Sequence, residues 1–256
     1  MNELAWHRYG AELRADAPPL VLLHAFPLDA RMWASTISVM PEVPVLTIDA
    51  PGFGASPPVE GGLAEAADAV AGTLAAAGVT RAVVAGLSMG GYTLLALAER
   101  HPELLAGVGL LDTKASVDPP QGRANRLQMA EAALGEQGAQ VVAPMIDTLL
   151  GQNPAEEVRA EVRELLAQAP PSAIAWAQRA MAARPDRLEA LAQLDVPALV
   201  LRGAQDATAS LADHQAMASA LGTDVVEVDG AGHLSALESP REVAAALVDL
   251  YARATA

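Results

Sequence analysis

The sequence predicts an α/β fold: a mostly parallel sheet with helices on both faces and a helical cap inserted in the middle of the chain. Three observations carry this reading. Short apolar runs at Leu20–Leu23 and at residues 43–48, 81–85 and 108–111 alternate with helical stretches, the pattern of a doubly wound parallel sheet. Hydrophobic residues make up 52% of the chain but aromatics only 3%, and much of the remainder is alanine, which favours helices covering a sheet over an all-β sandwich. At 256 residues there is room for one large core plus an insertion.

In chain order, residues 4–9 and 12–15 flank Gly10-Ala11 and read as an opening antiparallel hairpin. Pro18-Pro19 then precede the first buried strand. Helical stretches follow around residues 32–40 and over 63–77, the second alanine-rich and closed by Gly78. From 113 to about 195 no strand-like run of similar strength occurs. Helical patterns recur there at 123–134, 140–150, 156–168 and 172–182, punctuated by Gly151, Pro154, Pro170-Pro171 and Pro185. A single crossover rarely needs about 80 residues, so residues 1–112 and 196–256 are expected to form the core domain and 113–195 a helical cap. Strand character returns at 196–201 and 224–228. A last helix begins with Ser239 as N-cap, Pro240 at its first position and Glu242 completing a capping box.

Lys and Arg number 16 against 31 Asp and Glu, a net charge of −15, which argues against nucleic acid or an anionic membrane as partner. The absence of cysteine excludes disulfides and thiol chemistry and is compatible with a cytosol. Residues 1–8 lack a basic stretch followed by an apolar core, and no apolar run reaches the length of a membrane span. A cytoplasmic protein is the expectation.

The chemistry centres on Gly86-Leu87-Ser88-Met89-Gly90, a G-x-S-x-G turn between an apolar strand and a helical stretch. Such a turn lifts its serine above the sheet edge and needs flanks without bulk, which Gly86 and Gly90 supply. The rival reading makes Ser88 an ordinary helix N-cap. A serine nucleophile needs a base and the base an orienting acid. His233, in Gly230-Ala231-Gly232-His233-Leu234 after the last strand, is the candidate base, and Asp206, also just past a strand, the candidate acid. The order Ser, Asp, His is the one expected with such an elbow. Asp112, directly after the run at 108–111, is a rival acid on the same rim. The amides of Met89 and Phe26 are the expected oxyanion donors. His24 is expected to brace its loop, while His7, His101 and His214 have no comparable setting. No H-E-x-x-H pattern suggests a metal, and Gly52-Phe53-Gly54 is no dinucleotide fingerprint, so no metal or cofactor is expected.

With His24-Ala25-Phe26-Pro27, Asp49-Ala50-Pro51-Gly52-Phe53-Gly54-Ala55-Ser56, Gly86-Leu87-Ser88-Met89-Gly90-Gly91, Asp206 and Gly232-His233 assembled, the chain resembles the α/β-hydrolase superfamily over nearly its whole length. It looks most like small bacterial esterases, lactonases and cofactor-free haloperoxidase-like hydrolases. The resemblance implies Ser88 as nucleophile, His233 as base, Asp206 as acid and the Phe26 and Met89 amides as oxyanion hole. One departure is Ala25, where the loop usually carries glycine after the histidine. Ser88 also excludes the aspartate-based dehalogenase chemistry found among resembling members.

The reaction expected is hydrolysis of a small carboxylic ester or lactone, with a small molecule as the only required partner and a monomer or homodimer as the assembly. Met129, Met145, Ile146, Trp176 and Met181 of the cap, with Trp33, His24 and Asp112 of the core, are candidate pocket residues, though helical spacing is also that of plain core. Carbon–carbon bond hydrolysis, perhydrolysis, hydroxynitrile-lyase-type activity and a silent ligand-binding role on the same scaffold are the alternatives.

Overall fold

The computed structural model describes residues 3–13 and 17–256. Its sheet contains β1 (Trp6–Tyr9), β2 (Leu20–Leu23), β3 (Val45–Ile48), β4 (Ala82–Leu87), β5 (Leu105–Leu111), β6 (Ala198–Gly203) and β7 (Val225–Val228), in the order β1-β3-β2-β4-β5-β6-β7. β1 is antiparallel to β3, and every other neighbouring pair is parallel. β2 and β4 lie side by side, and the chain leaves them toward opposite edges, which places a topological switch between them. Ligands collect outside the carboxyl ends of the strands at such a point.

The helices are α1 (Ala34–Ser38), α2 (Leu63–Ala76), α3 (Met89–Arg100), α4 (Pro120–Leu134), α5 (Ile146–Leu149), α6 (Glu156–Gln168), α7 (Pro171–Ala183), α8 (Leu188–Leu191), α9 (Leu211–Leu221), α10 (Ser235–Glu238) and α11 (Pro240–Ala254). Two stretches expected as α-helix are partly 3-10: Ala30–Trp33 before α1 and Gly138–Met145 before α5. Between β5 and β6 only helical elements occur.

Alternation along each strand divides the core in two. Leu20 and Leu22 join Val83, Ala85 and Leu87 on one face, together with Val243, Leu247 and Leu250 of α11. Val21 and Leu23 join Val84 and Leu110 on the other, under Val70 and Leu74 of α2 and Leu94 of α3. Strands apolar on both sides are buried on both sides, which is why they read as unbroken hydrophobic runs.

Two local expectations fail, and one helix goes unpredicted. β1 pairs with β3 (Trp6 opposite Ile48, Tyr9 opposite Val45) in place of forming a hairpin with residues 12–15. Glu12 and Leu13 are not strand, and residues 14 and 15 lie outside the described residues. Ser239 makes no side-chain cap at α11, and its N–H, which a capping box would give to Glu242, donates instead to the Ser235 carbonyl 2.8 Å away. Helix α9 escaped the sequence reading, although a true capping box opens it: Ser210 accepts from the Asp213 amide while Asp213 accepts from that of Ser210.

No helix among the described residues is long and apolar enough to cross a membrane.

Candidate active site

Ser88 ends β4 and precedes α3 with φ 54° and ψ −111°. A non-glycine residue there stores about 1–3 kcal/mol of strain and persists only where its surroundings over-determine it. They do. The Ser88 N–H donates to the Leu111 carbonyl at 2.9 Å, and its own carbonyl accepts from the Tyr92 N–H at 3.1 Å and from Thr113 Oγ1 at 2.8 Å. The side chain makes no helix cap. It points instead at His233.

The close turn depends on Gly90. A Cβ there would overlap the Leu23 carbonyl oxygen at the end of β2. Gly90→Ala is therefore expected to destabilise the fold by about 3 kcal/mol; a change in thermal midpoint under 2 °C, roughly, would contradict this packing.

His233 lies on the loop between β7 and α10, fully enclosed. Its Nε2 is 2.8 Å from Ser88 Oγ, and its Nδ1 is 3.0 Å from both carboxylate oxygens of Asp206. Asp206 sits past β6, where its Oδ1 also accepts from the amides of Thr208 (2.7 Å) and Ala209 (3.2 Å). Burial disfavours the charged imidazolium, but the Asp206 hydrogen bond and charge outweigh it and hold the His233 pKa above its ordinary value. Burial likewise works against the Asp206 carboxylate, and the His233 hydrogen bond with the two amides overcomes it, so its pKa stays low.

Asp112, the rival acid, is buried with φ 46° and does not reach the imidazole. Its Oδ1 accepts from the Gly203 N–H (2.7 Å) and its Oδ2 from Ser235 Oγ (2.5 Å). It ties the ends of β5, β6 and α10 together behind His233. Burial pushes its pKa up to about 7.

Met89 is the first residue of α3, so its N–H is among those a helix leaves unpaired. Phe26 follows β2 on a loop held by the Leu28 N–H to Ala25 carbonyl bond at 2.9 Å. Gly90 packs against the carbonyls of Leu23 and His24, which brings this loop beside the start of α3. Both ring nitrogens of His24 are used by backbone. Nε2 accepts from the Ala50 amide at 2.8 Å, so the proton is on Nδ1, which donates to the Ala25 carbonyl at 2.9 Å. Burial lowers its pKa and keeps it neutral.

Sequence reasoning missed the support of the neighbouring loop. The buried Asp49 carboxylate accepts from the amides of Ala30 (2.9 Å) and Ala55 (3.1 Å), fixing the turn through Phe53. Thr113, Ser235 and Glu238 were missed as well, since no sequence spacing relates them to the residues they hold.

The apolar candidate pocket residues enter one cluster, while His24 and Asp112 are held by polar partners instead. Trp33 and Met181 are buried in it beside Phe26, Leu87 and Met89, and Met129, Met145, Ile146 and Trp176 pack against it half-exposed. Trp176 Nε1 donates to the Gly61 carbonyl at 3.0 Å. Above Tyr92, Arg184 stacks 4.2 Å from the ring and makes a two-pronged pair with Asp118, both bonds 2.8 Å.

A nucleophile elbow, an imidazole and a carboxylate at the carboxyl edge of this sheet define a hydrolase-type site. The chain belongs to the alpha/beta hydrolase family, whose model matches residues 20–246. Its fold is similar to a thermophilic esterase from Thermogutta terrifontis, solved with malate bound (34% identity, 99% of this chain and 94% of that one, TM-score 0.92). It is also similar to the enol-lactonase from Burkholderia xenovorans (28% identity, 96% and 95% covered, TM-score 0.85). In sequence it is 30% identical over 241 residues to the biotin biosynthesis bifunctional protein BioHC of Cellvibrio japonicus; the match takes in 91% of this chain but only 47%, about half, of that longer protein.

Proposed function

We propose that this protein is a serine hydrolase that cleaves a small, largely neutral carboxylic ester or lactone. The observation that carries the reading is the hydrogen-bonded series Ser88 Oγ, His233 Nε2, His233 Nδ1 and Asp206, with spacings of 2.8 and 3.0 Å. The esterase and enol-lactonase names of the similar structures support ester chemistry.

Ser88 Oγ attacks the carbonyl carbon while its proton passes to His233 Nε2. The developing oxyanion takes hydrogen bonds from the amides of Met89 and Phe26, with the positive end of α3 beneath it. Collapse expels the alcohol, which receives the proton from His233 and leaves an acyl group on Ser88. Water, deprotonated by the same imidazole, releases the acid. Asp206 keeps the proton of neutral His233 on Nδ1, so Nε2 is free to act as base. The helical segment at 113–195 acts as a cap, and its Met145, Ile146 and Trp176 contribute to an apolar acyl pocket. The free protein works in the cytoplasm on a small molecule, as a monomer or homodimer.

A fluorophosphonate probe tests this directly. It is expected to modify Ser88 alone, read by peptide mass; a folded chain that stays unlabelled overturns the mechanism. The pH dependence follows from the same geometry. The base must be neutral, and Asp206 holds its pKa up. The kcat/KM for p-nitrophenyl acetate should therefore fall tenfold per unit as pH drops through a midpoint above about 6.5. A flat profile down to about pH 5 would exclude His233 as the base.

A further inference from the structure

The loop that carries His233 is stitched to the helical segment between β5 and β6 at residues 149–152, from the last residue of α5 onward. The Leu234 N–H donates to the Leu149 carbonyl at 3.1 Å. The Gln152 N–H donates to Gln205 Oε1 at 2.6 Å, next to Asp206. Between them lies Glu238, the last residue of α10. One of its oxygens accepts from the Gly232 N–H (2.9 Å), the residue before His233, and the other from the Gly151 N–H (2.7 Å). Approach here is as close as backbone permits: a Cβ on Gly151 would meet the Gly230 carbonyl oxygen at 2.7 Å, Gln205 Oε1 at 3.0 Å and Glu238 Oε2 at 3.1 Å.

From this juxtaposition we propose that Glu238 is a positioning residue, which clamps residues 149–152 onto the histidine loop and so holds His233 at hydrogen-bonding distance from Ser88. The inference rests on the catalytic reading above. Only a carboxylate offers two acceptors to two backbone donors; an amide in its place turns a donor toward one of them and opens one side of the clamp. Burial holds the Glu238 pKa above its ordinary value, against the pull of the Gly151, Gly232 and Leu234 amides toward the ionised form. Its negative charge also helps to hold the His233 pKa up. The charged side chain acting on Glu238 is His233, whose charge favours the carboxylate, together with the amides of Gly151, Gly232 and Leu234.

The test uses the full chain with Glu238→Gln and, separately, Gly151→Ala. Glu238→Gln is expected to lower kcat for p-nitrophenyl acetate about 30-fold with KM changed less than about threefold. It should also move the acidic limb of the pH profile to lower pH and broaden the downfield ring-proton resonance of His233. Gly151→Ala opens the clamp and keeps the charge, so kcat falls while the acidic limb stays in place. A natively folded Glu238→Gln protein with kcat within about threefold of wild type and an unchanged His233 resonance overturns the proposal. Should that variant not fold, unchanged kcat and resonance in Gly151→Ala do the same. Fluorophosphonate labelling of the wild type separates the two readings: an unlabelled wild type defeats the triad, while the His233 resonance still decides the clamp without substrate.

Discussion

Replacing Ser88 with alanine is expected to lower turnover of p-nitrophenyl acetate about 10⁴-fold or more while the fold persists. The loss is large because nucleophile and base act as a unit: without Oγ the imidazole has no proton to take, and only binding and the oxyanion donors still contribute. The fold persists because what fixes this turn is backbone. The Leu111, Tyr92 and Thr113 contacts all engage the main chain of residue 88, whereas its hydroxyl hydrogen-bonds to His233. Steady-state kinetics, with circular dichroism to establish folding, measure both halves. A folded Ser88→Ala protein that retains a tenth of wild-type turnover, roughly, would end the covalent mechanism.

Asp206→Asn should cost about 10⁴-fold in kcat, far more than its change in charge suggests. The carboxylate accepts the Nδ1 proton of His233. An asparagine turns an N–H toward Nδ1, the proton moves to Nε2, and Ser88 then faces a donor where it needs an acceptor. Asp112 is not placed to take over: its oxygens face the Gly203 N–H and the Ser235 hydroxyl and do not reach the imidazole. The rate of fluorophosphonate labelling should fall with kcat. Labelling within about tenfold of wild type would mean that His233 is oriented by something other than Asp206.

The sequence was most legible where burial was complete. β2 to β6 are enclosed on both faces, so each reads as an apolar run whatever it pairs with, and the G-x-S-x-G turn carries its own context. Legibility fell where the deciding interaction joins distant residues. β1 looked ready for a hairpin, but its partner lies some forty residues away in β3. α9 carries clear end signals in Ser210, Asp213 and Gly222, yet its apolar residues do not keep to one face, so the periodic signal is weak. Ser239 has the right residue three places on, but its N–H is consumed by the turn before it. Asp206 and Asp112 both follow strands, and only their partners in space separate them. Glu238 holds two amides that are 81 positions apart, a relation no local pattern encodes.

The placement of the reacting groups has a consequence for how such a chain can diversify. Ser88, Asp206 and His233 all project from loops of the sheet, while the helices between β5 and β6 supply none of the three. On the proposed reading that stretch roofs the acyl site, so one of different length or lining is expected to alter which acyl groups are admitted. A transplant must still preserve the glycine at 151 and the backbone around it, or the new roof arrives detached from the imidazole it has to serve.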